Sequence, residues 1–322
     1  MAGSECGITL GMPVYNGERY LREALDGLLA QDSPDFSLYI SDNASTDATE
    51  QICREYAARD SRIRYLRHDA NRGAVWNFNH VFGVSQSEFF AWAACDDRWE
   101  PGFLRACLGL LRAHPEAVLA HPRFCRIDAS GKTYAGPFGG FVADSLSPRH
   151  RRRAVISDWY FCFSVYGVYR SSALRRTGLA RKVYGSDHAL IAEISLLGHI
   201  LEDPGVLFFH RTVDPGESRS SYAERVRRGL DPAGKPGSYR FPLASLGREH
   251  LRTALRAPFS FSYRLTLVGD VIRRYYVHWI AIPALGCLIT ALLGRRGSLA
   301  VVRFLRKFNW YRRWRRVPEG LC

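Results

Sequence analysis

The chain has eight cysteines but no Cys-x-x-Cys pair, and no group of His and Cys at zinc-ligand spacing. A zinc ribbon or a dithiol redox centre is therefore not expected; free buried thiols in a reducing cytoplasm are. The first ten residues, MAGSECGITL, lack a basic stretch running into a long apolar one, so no secretory signal is expected. There is no internal repeat, which sets aside solenoids and propellers. Carboxylates are scarce in one place. Residues 248 to 322 hold 15 Lys or Arg against 3 Asp or Glu, a net +12 out of +14 for the whole chain. The other 247 residues are left with +2, so the basicity belongs to the tail.

Apolar residues make up 47% of the 322, enough for a sizeable core in one large domain or two smaller ones. The first half alternates two patterns. GITLGM (7–12), FSLYIS (36–41), RIRYLR (62–67) and EFFAWAA (88–94) are strand-like, rich in β-branched and aromatic residues. Between them, residues 18–31 place Tyr20, Leu21, Ala24, Leu25, Leu28 and Leu29 on one helical face, and 45–58 and 73–84 do the same. A helix over 101–114 opens with Pro101, which suits a first turn. Such alternation predicts an α/β fold with a largely parallel sheet, whose ligands bind beyond the carboxyl ends of the strands. Residues 130–162, with the basic run RHRRR (149–153), read as a mobile loop over the site or a solvated connection. SVYGVYR (164–170) reads as a strand, 171–177 and 186–199 as helices, and 214–247, rich in Gly, Pro, Ser and Arg, as a connector.

One stretch raises a physical difficulty. FFAWAACDDRWEP (89–101) runs as a buried strand straight into two adjacent carboxylates, Asp96 and Asp97. Three more polar clusters follow predicted strands: MPVYNGERYL (12–21), SDNASTDAT (41–49) and HDANRGAVWNFN (68–79). Each alone is an ordinary turn or helix-cap signal. Their order and spacing together say more. With MPVYN, DNASTD, NRG and CDD, then GVYRSSAL and GSDHALIAEISLLG, the sequence resembles the family 2 glycosyltransferases over roughly residues 7 to 220.

That resemblance implies a GT-A fold, a Rossmann-like, mostly parallel sheet flanked by helices. It also implies inverting transfer from a nucleoside-diphosphate sugar, assisted by a divalent cation, Mg2+ or Mn2+. A cation bridging carboxylates and phosphate oxygens neutralises the leaving diphosphate, which gives the adjacent acids a purpose. Asp97 matches the metal-binding carboxylate and Asp96 the ribose-side one. The plainer alternative is a strand-end Asx turn capping the helix after Pro101, which does not exclude metal binding. Cys95 stands where many relatives have a third acid; a thiol is a poor Mg2+ ligand. Pro13 and Tyr15 are expected to flank the base, with Asp42 and Asn43 at its recognition corner. Many relatives have a second Asp where Asn43 stands. An Asn amide still offers a donor and an acceptor to a pyrimidine edge, leaving uracil, thymine and guanine open, with UDP or dTDP the expected carrier. Arg72, in NRG, faces the diphosphate or donor sugar, or is simply an exposed turn residue. Asp187 matches the catalytic base; its alternative is a helix N-terminal charge. His188 is expected to project elsewhere. His210 and Arg211 are candidates for metal or diphosphate contact, although a lone strand-end His is often structural.

The expected organisation is a catalytic domain over 1–215, divided into a nucleotide-sugar half (1–120) and an acceptor half (121–215), a connector over 216–258, and a helical tail over 259–322. In the tail, 276–294 is uncharged between arginine pairs, and RFLRKFNWYRRWRRV (303–317) interleaves cations with aromatics. Nineteen residues is marginal for a span, so shallow insertion at an anionic membrane surface on the cytoplasmic side is expected. The alternative is a helical pair packed on the enzyme or a second subunit. Nucleic acid is not an expected partner, since nothing else resembles a nucleic-acid module. The Gln-x-x-Arg-Trp motif of processive synthases is missing; the nearest string, WYRRW (310–314), lacks the Gln, so transfer of a single sugar is expected. The acceptor is a hydroxyl-bearing glycan, lipid-linked or a small molecule, recognised within 130–165. Two other functions compete: a nucleotidyltransferase, for which no Gly-rich triphosphate loop follows the first strand, and a catalytically silent membrane-binding scaffold.

Overall fold

The computed structural model describes residues 7–33, 35–145, 147–156, 162–212 and 242–281. Its centre is β1 (Ile8–Val14), buried along its whole length. β2 (Phe36–Asp42) and β4 (Phe89–Trp92) pair with it in parallel on either side, and β3 (Ile63–Arg67) extends the sheet in parallel beyond β2. Strands paired on both edges and covered on both faces must be apolar throughout, which is why ITLGMPV and FFAW are unbroken runs. The chain returns between them through α1 (Glu18–Leu29), α2 (Thr49–Arg59) and α3 (Ala74–Gly83). α1 buries Leu21, Ala24, Leu25 and Leu28 as one stripe. α3 presses so closely on β1 that a β-carbon at Gly11 would lie 2.8 Å from Val81 and 2.7 Å from Phe90. Pro13 sits in a central strand at no loss, because β4 leaves the ladder after Trp92, opposite Gly11.

Past β4 the sheet becomes mixed. β8 (Val168–Arg170) and then β6 (Ala117–Ile127) join antiparallel, β9 (His199–Arg211) runs parallel to β6, and β5 (Arg98–Trp99) closes the edge antiparallel to β9. β7 (Thr133–Phe138) forms a hairpin with β6. The order is β3-β2-β1-β4-β8-β6-β9-β5. The remaining helices are α4 (Phe103–Ala113), α5 (Pro148–Ile156), α6 (Ser171–Leu174), α7 (Ser186–Ser195), α8 (Pro242–Arg256) and α9 (Phe261–Val271), the last running into π-helical turns over Ile272–Ala281.

The expected α/β architecture is present, with differences in detail. The helix expected from residue 45 begins at Thr49, because the residues before it are used in turns. β6 and β9 do not stand out in the sequence: their pairing shifts register at Pro122 and across the Asp203–Pro204–Gly205 bend. The strand expected over 164–170 is a single 3₁₀ turn, Phe163–Tyr166, followed by β8.

The basic run 149–153 is neither a loop nor a solvated connection but part of α5, docked on α9. Arg152 pairs with buried Asp270, Nη2 to Oδ1 2.9 Å, and the Arg151 guanidinium lies 4.1 Å over Phe259. Part of the expected connector is also ordered: α8 packs on α7 and α9 through Ala189, Leu196, Leu246, Ala254 and Leu267. Arg181 is wedged between Glu193 of α7 and Glu249 of α8, 3.3 Å from the latter. An opening Pro and an internal Gly hide α8 in the sequence. No helix among the described residues is long and apolar enough to cross a membrane. Residues 282–322, which hold most of the apolar run and the whole cationic aromatic segment of the tail, lie outside the described residues, as do 213–241.

Candidate active site

The polar clusters meet at the carboxyl ends of β1, β2 and β4, and the first two are tied together by their own side chains. Asn16 N–H donates to Ser45 Oγ (2.9 Å), Gly17 N–H to Thr49 Oγ1 (2.9 Å) and Thr46 N–H to Asn16 Oδ1 (2.8 Å). Asp47 accepts the first N–H of α1, from Glu18, on one oxygen and the first of α2, from Thr49, on the other. In NASTD the helix-start reading therefore holds for Asp47.

Asp42 has no exposed surface. Ser45 N–H donates to its Oδ1 (2.8 Å), Tyr65 OH to its Oδ2 (2.8 Å), and Arg67 Nε stands 3.8 Å away. The Asn43 amide is occupied too: Nδ2 donates to Asn71 Oδ1 (2.9 Å) and Gly73 O (3.3 Å), while Oδ1 accepts Arg72 N–H (3.0 Å). These two residues build the corner from within, and a base that pairs with the Asn43 amide has to share those bonds. Pro13 is buried in β1, whereas Tyr15, one residue past its end, is 48% exposed. Asn43 N–H donates to Val14 O, which sets Asn43 beside the strand end that carries Tyr15. Arg72 is exposed, its guanidinium 4.6 Å over the Trp76 ring, which itself stacks on His80 at 4.7 Å.

At the end of β4 the arrangement is different. Asp97 is 1% exposed. Its Oδ1 accepts Arg211 N–H (2.8 Å) and lies 3.2 Å from His210 Nδ1, while among the described residues Oδ2 has only the long 3.5 Å approach of the same nitrogen. Desolvation first, and then the neighbouring Asp97 charge, push the Asp96 carboxyl up to about 6, against the pull of His210 and Arg211. Burial, Asp96 and Asp97 push the Cys95 thiol well up, which keeps it neutral.

His210 and Arg211 are consecutive in β9, so they face opposite sides of the sheet. His210 turns to Asp97, its ring 4.3 Å from Phe163. Arg211 turns inward and is 3% exposed, which corrects the expectation that it reaches a diphosphate. Its Nε donates to Asp96 O (2.8 Å), Nη1 to Asp128 O (3.2 Å) and Nη2 to Glu23 Oε2 (2.6 Å), and it lies 4.4 Å over the Tyr20 ring. It clamps the acid-bearing turn to α1 and to the turn after β6. Strand alternation along FFHR was the available signal.

These groups suit a divalent cation. Two adjacent acids repel each other unless a cation sits beside them, and Asp97 keeps one oxygen lightly engaged. His210 Nδ1 faces both Asp97 oxygens, 3.2 and 3.5 Å away, so with the ring proton on Nε2 the Nδ1 lone pair and the carboxylate would hold one cation between them. The carboxylate oxygens suit Mg2+ or Mn2+. Among the described residues the one three-residue cluster of metal-ligand type lies elsewhere, at Cys162, Asp187 and His188, whose ligand atoms are all within 4.8 Å of one another.

Asp187 stands in the first turn of α7, which follows Gly185 in the left-handed region (φ 75°). Such a backbone favours glycine and turns the helix start sharply from the preceding loop. His188 does not project away from Asp187 as expected but lies beside it, since side chains of a first turn both lean back over the helix N-terminus. Tyr166, in the 3₁₀ turn before β8, was not a candidate in the sequence. Burial raises its phenol well above its ordinary value, followed by the charges of Asp97, Asp96 and Asp187.

Residues 9–178, just over half of the chain, match the family described as glycosyl transferase family 2. The putative glycosyltransferase EpsE of Bacillus subtilis is 31% identical over 108 residues, 33% of this chain and 39% of that protein. EpsH of the same organism, also a putative glycosyltransferase, is 26% identical over 178 residues, 55% of this chain and 51% of its own. An uncharacterized protein of Mycobacterium bovis, Mb1547, is 40% identical over 112 residues, 34% of this chain and 32% of that protein. The chain thus spans about a third to a half of the length of these relatives. Among solved structures, Staphylococcus aureus TarS 1–349 in complex with UDP-GlcNAc superposes with a TM-score of 0.63 at 18% identity, covering 84% of this chain and 72% of that one. The mannosyltransferase PcManGT of Pyrobaculum calidifontis, in complex with GDP-Man and Mn2+, does so with 0.57 at 18% identity, covering 97% and 84%. At such identities the likeness is one of fold. The curled sheet with its parallel β3-β2-β1-β4 half, the acid pair at its carboxyl edge and the match over residues 9–178 agree: the chain belongs to glycosyl transferase family 2 and has the GT-A fold.

Proposed function

We propose that the protein transfers one sugar from a nucleoside-diphosphate donor to an acceptor hydroxyl with inversion. The observation that carries this reading is the Asp96–Asp97 pair beside His210 at the carboxyl end of β4, in a chain matched to the family over residues 9–178. Tyr15, Asn43 and Arg72 border the nucleotide, with Asp42 bracing their corner and Pro13 fixing the end of β1. Asp97 and His210 hold the divalent cation, and Asp96 lies toward the ribose. Bound there, Mg2+ or Mn2+ supplies positive charge to the departing diphosphate.

Asp187 takes the proton of the acceptor hydroxyl. The acceptor oxygen then bonds to the anomeric carbon from the face opposite the diphosphate. The bond from that carbon to the phosphate oxygen breaks, and its electron pair leaves with the diphosphate. A single displacement inverts the anomeric centre. Arg211 holds the backbone of the acid pair still while charge shifts, which matters because small misplacements are expensive in such a step.

UDP and dTDP sugars are the first donors to try; of the neighbours, TarS is in complex with UDP-GlcNAc and PcManGT with GDP-Man. The acceptor is a glycan, lipid-linked or small-molecule hydroxyl. The tail, over 276–294 and 303–317, associates with an anionic membrane surface on the cytoplasmic side. A panel of nucleotide sugars, assayed for hydrolysis with Mn2+ or Mg2+ and then for transfer by mass spectrometry, tests the reading. Nucleoside-diphosphate release that stops on chelation is the expected result. Release of pyrophosphate, or no turnover of any donor, would overturn it.

A further inference from the structure

Among the described residues, α8 and α9 bury only one side of themselves. α8 packs on α7 and on α9 through Leu246, Ala254, Leu267 and Val271, and α9 also packs on α5. On the outer face of α9 stand Phe261 and Leu265, 68% and 50% exposed, and Ile272, 44% exposed, follows directly after its last residue. Steps of four and seven residues put them on one helical stripe. Leu255, 54% exposed, stands at the end of α8, where Arg264 of α9 donates to its carbonyl (3.1 Å). Large apolar side chains grouped in this way mark an interaction surface rather than scattered exposure.

The exposed charges of this segment have one sign. Residues 242–281 hold six arginines and two acids, Glu249 and Asp270. Both acids are turned inward, 2% and 6% exposed, and are already paired, Glu249 with Arg181 and Arg252, Asp270 with Arg152. No exposed carboxylate in this segment offsets the outer face. The sequence continues in kind: residues 282–322 carry nine Lys or Arg against one Glu, after an apolar stretch.

We propose that the outer face of α9, with the end of α8, docks on an anionic phospholipid bilayer. This deepens the membrane part of the proposed function by placing a contact surface on the folded body, separate from the 282–322 tail. A stripe of apolar side chains standing out from a helix inserts between headgroups, and the long arginines beside it reach phosphates. Because α8 is locked to α7 by Arg181, docking holds the α7 end that carries Asp187 in a fixed position relative to the lipid. The hydroxyl Asp187 receives is then one presented from the membrane.

The test uses the full chain and vesicles of phosphatidylglycerol mixed with phosphatidylcholine, or of phosphatidylcholine alone. Co-sedimentation with the anionic vesicles is expected, weakened but not abolished by high salt, which screens only the charge component. The double variant Phe261→Ser/Leu265→Ser is expected to lower the partition coefficient at least about tenfold. Its melting temperature and its donor hydrolysis in solution are expected to stay as in the parent. If the variant partitions like the parent while removal of residues 282–322 abolishes binding, the tail alone does the work and the α9 surface is wrong. If the variant instead dissolves a dimer seen by sedimentation velocity, the stripe is an interface between copies. Full-length protein that ignores anionic vesicles overturns both this surface and the tail reading, but leaves the transfer chemistry, read by donor turnover, standing.

Discussion

Two strand ends of this sheet carry acids, and they are built in opposite ways. At the end of β2, Asp42 is sealed from water and both its oxygens are taken by Ser45 N–H, Tyr65 and Arg67. At the end of β4, Asp96 and Asp97 are placed side by side, one carboxyl is pushed up to about 6, and among the described residues one Asp97 oxygen has only a long contact. Burial is common to both. Satisfaction is not. A buried acid whose partners are all internal shapes the fold, whereas an acid pair held against its own repulsion is set up for a guest. The same contrast separates the inner face of α9, closed by packing, from its outer face.

The largest expected effect is at the third acid. Asp187→Ala is expected to lower kcat by roughly 10²–10⁴-fold, the range of general base catalysis. Donor affinity, measured by calorimetry with the nucleotide sugar, is expected to change little. A variant with normal turnover and lost nucleotide affinity would move Asp187 to the donor side and break the division of labour drawn here.

Next comes Asp97→Asn. Arg211 N–H still finds an oxygen in the amide, so the turn survives and the melting temperature is expected to move by only a degree or two. Loss of one negative charge from the cation-holding pair is expected to lower transfer on the order of 10²–10³-fold. Activity that persists in the variant, or in the parent after exhaustive chelation, would contradict a metal role.

Asp42 is expected to behave the other way round. Asp42→Ala strands the Ser45 N–H and the Tyr65 hydroxyl in a dry site and loosens Arg67, which costs about 3 kcal/mol. In a domain of this size that corresponds to a fall of roughly 6–12 °C in Tm by calorimetry. Donor affinity is expected to fall through the distorted corner. If Tm is unchanged and only nucleotide binding is lost, Asp42 touches the base directly, and the two strand ends are more alike than their bonding indicates.

What was legible in the sequence follows the same physics. β1 to β4 and the helices between them show through because a strand buried on both sides must be apolar throughout. The acids at their ends show through because charge at such a place is conspicuous. β6 and β9 were hidden by Pro122 and by the Asp203–Pro204–Gly205 bend, which break the period while the pairing merely shifts. The position of Asp97 against His210 and Arg211 spans more than a hundred residues and exists only once β9 lies where it does. Arg211 and Arg72 look alike in the sequence, yet one is sealed inside and the other open to solvent. The helix α8 was concealed by its composition, since it is held by Arg181 and by its neighbours rather than by its own propensity.

The smallest effect probes a buried titratable group with no hydrogen-bond partner among the described residues. His250 of α8 is 2% exposed, stacks on Tyr275 at 5.0 Å, and neither ring nitrogen has a hydrogen-bond partner among the described residues. Burial, and then the neighbouring His188 and Arg181, hold its pKa down to about 3, below an ordinary 6.5. The unfolded chain therefore binds a proton that the folded one refuses between those values. Stability from the neutral ring is fully present above about pH 6.5 and is lost as pH falls toward 3. At roughly 1.4 kcal/mol per unit, about 2 kcal/mol is gone by pH 5. His250→Phe keeps the stacking and removes the titration. The variant is expected to melt several degrees above the parent at pH 5, with a much smaller difference at pH 8. Melting curves of equal pH dependence in the two proteins would mean that His250 finds a partner on protonation, and that burial without satisfaction is not what distinguishes this site.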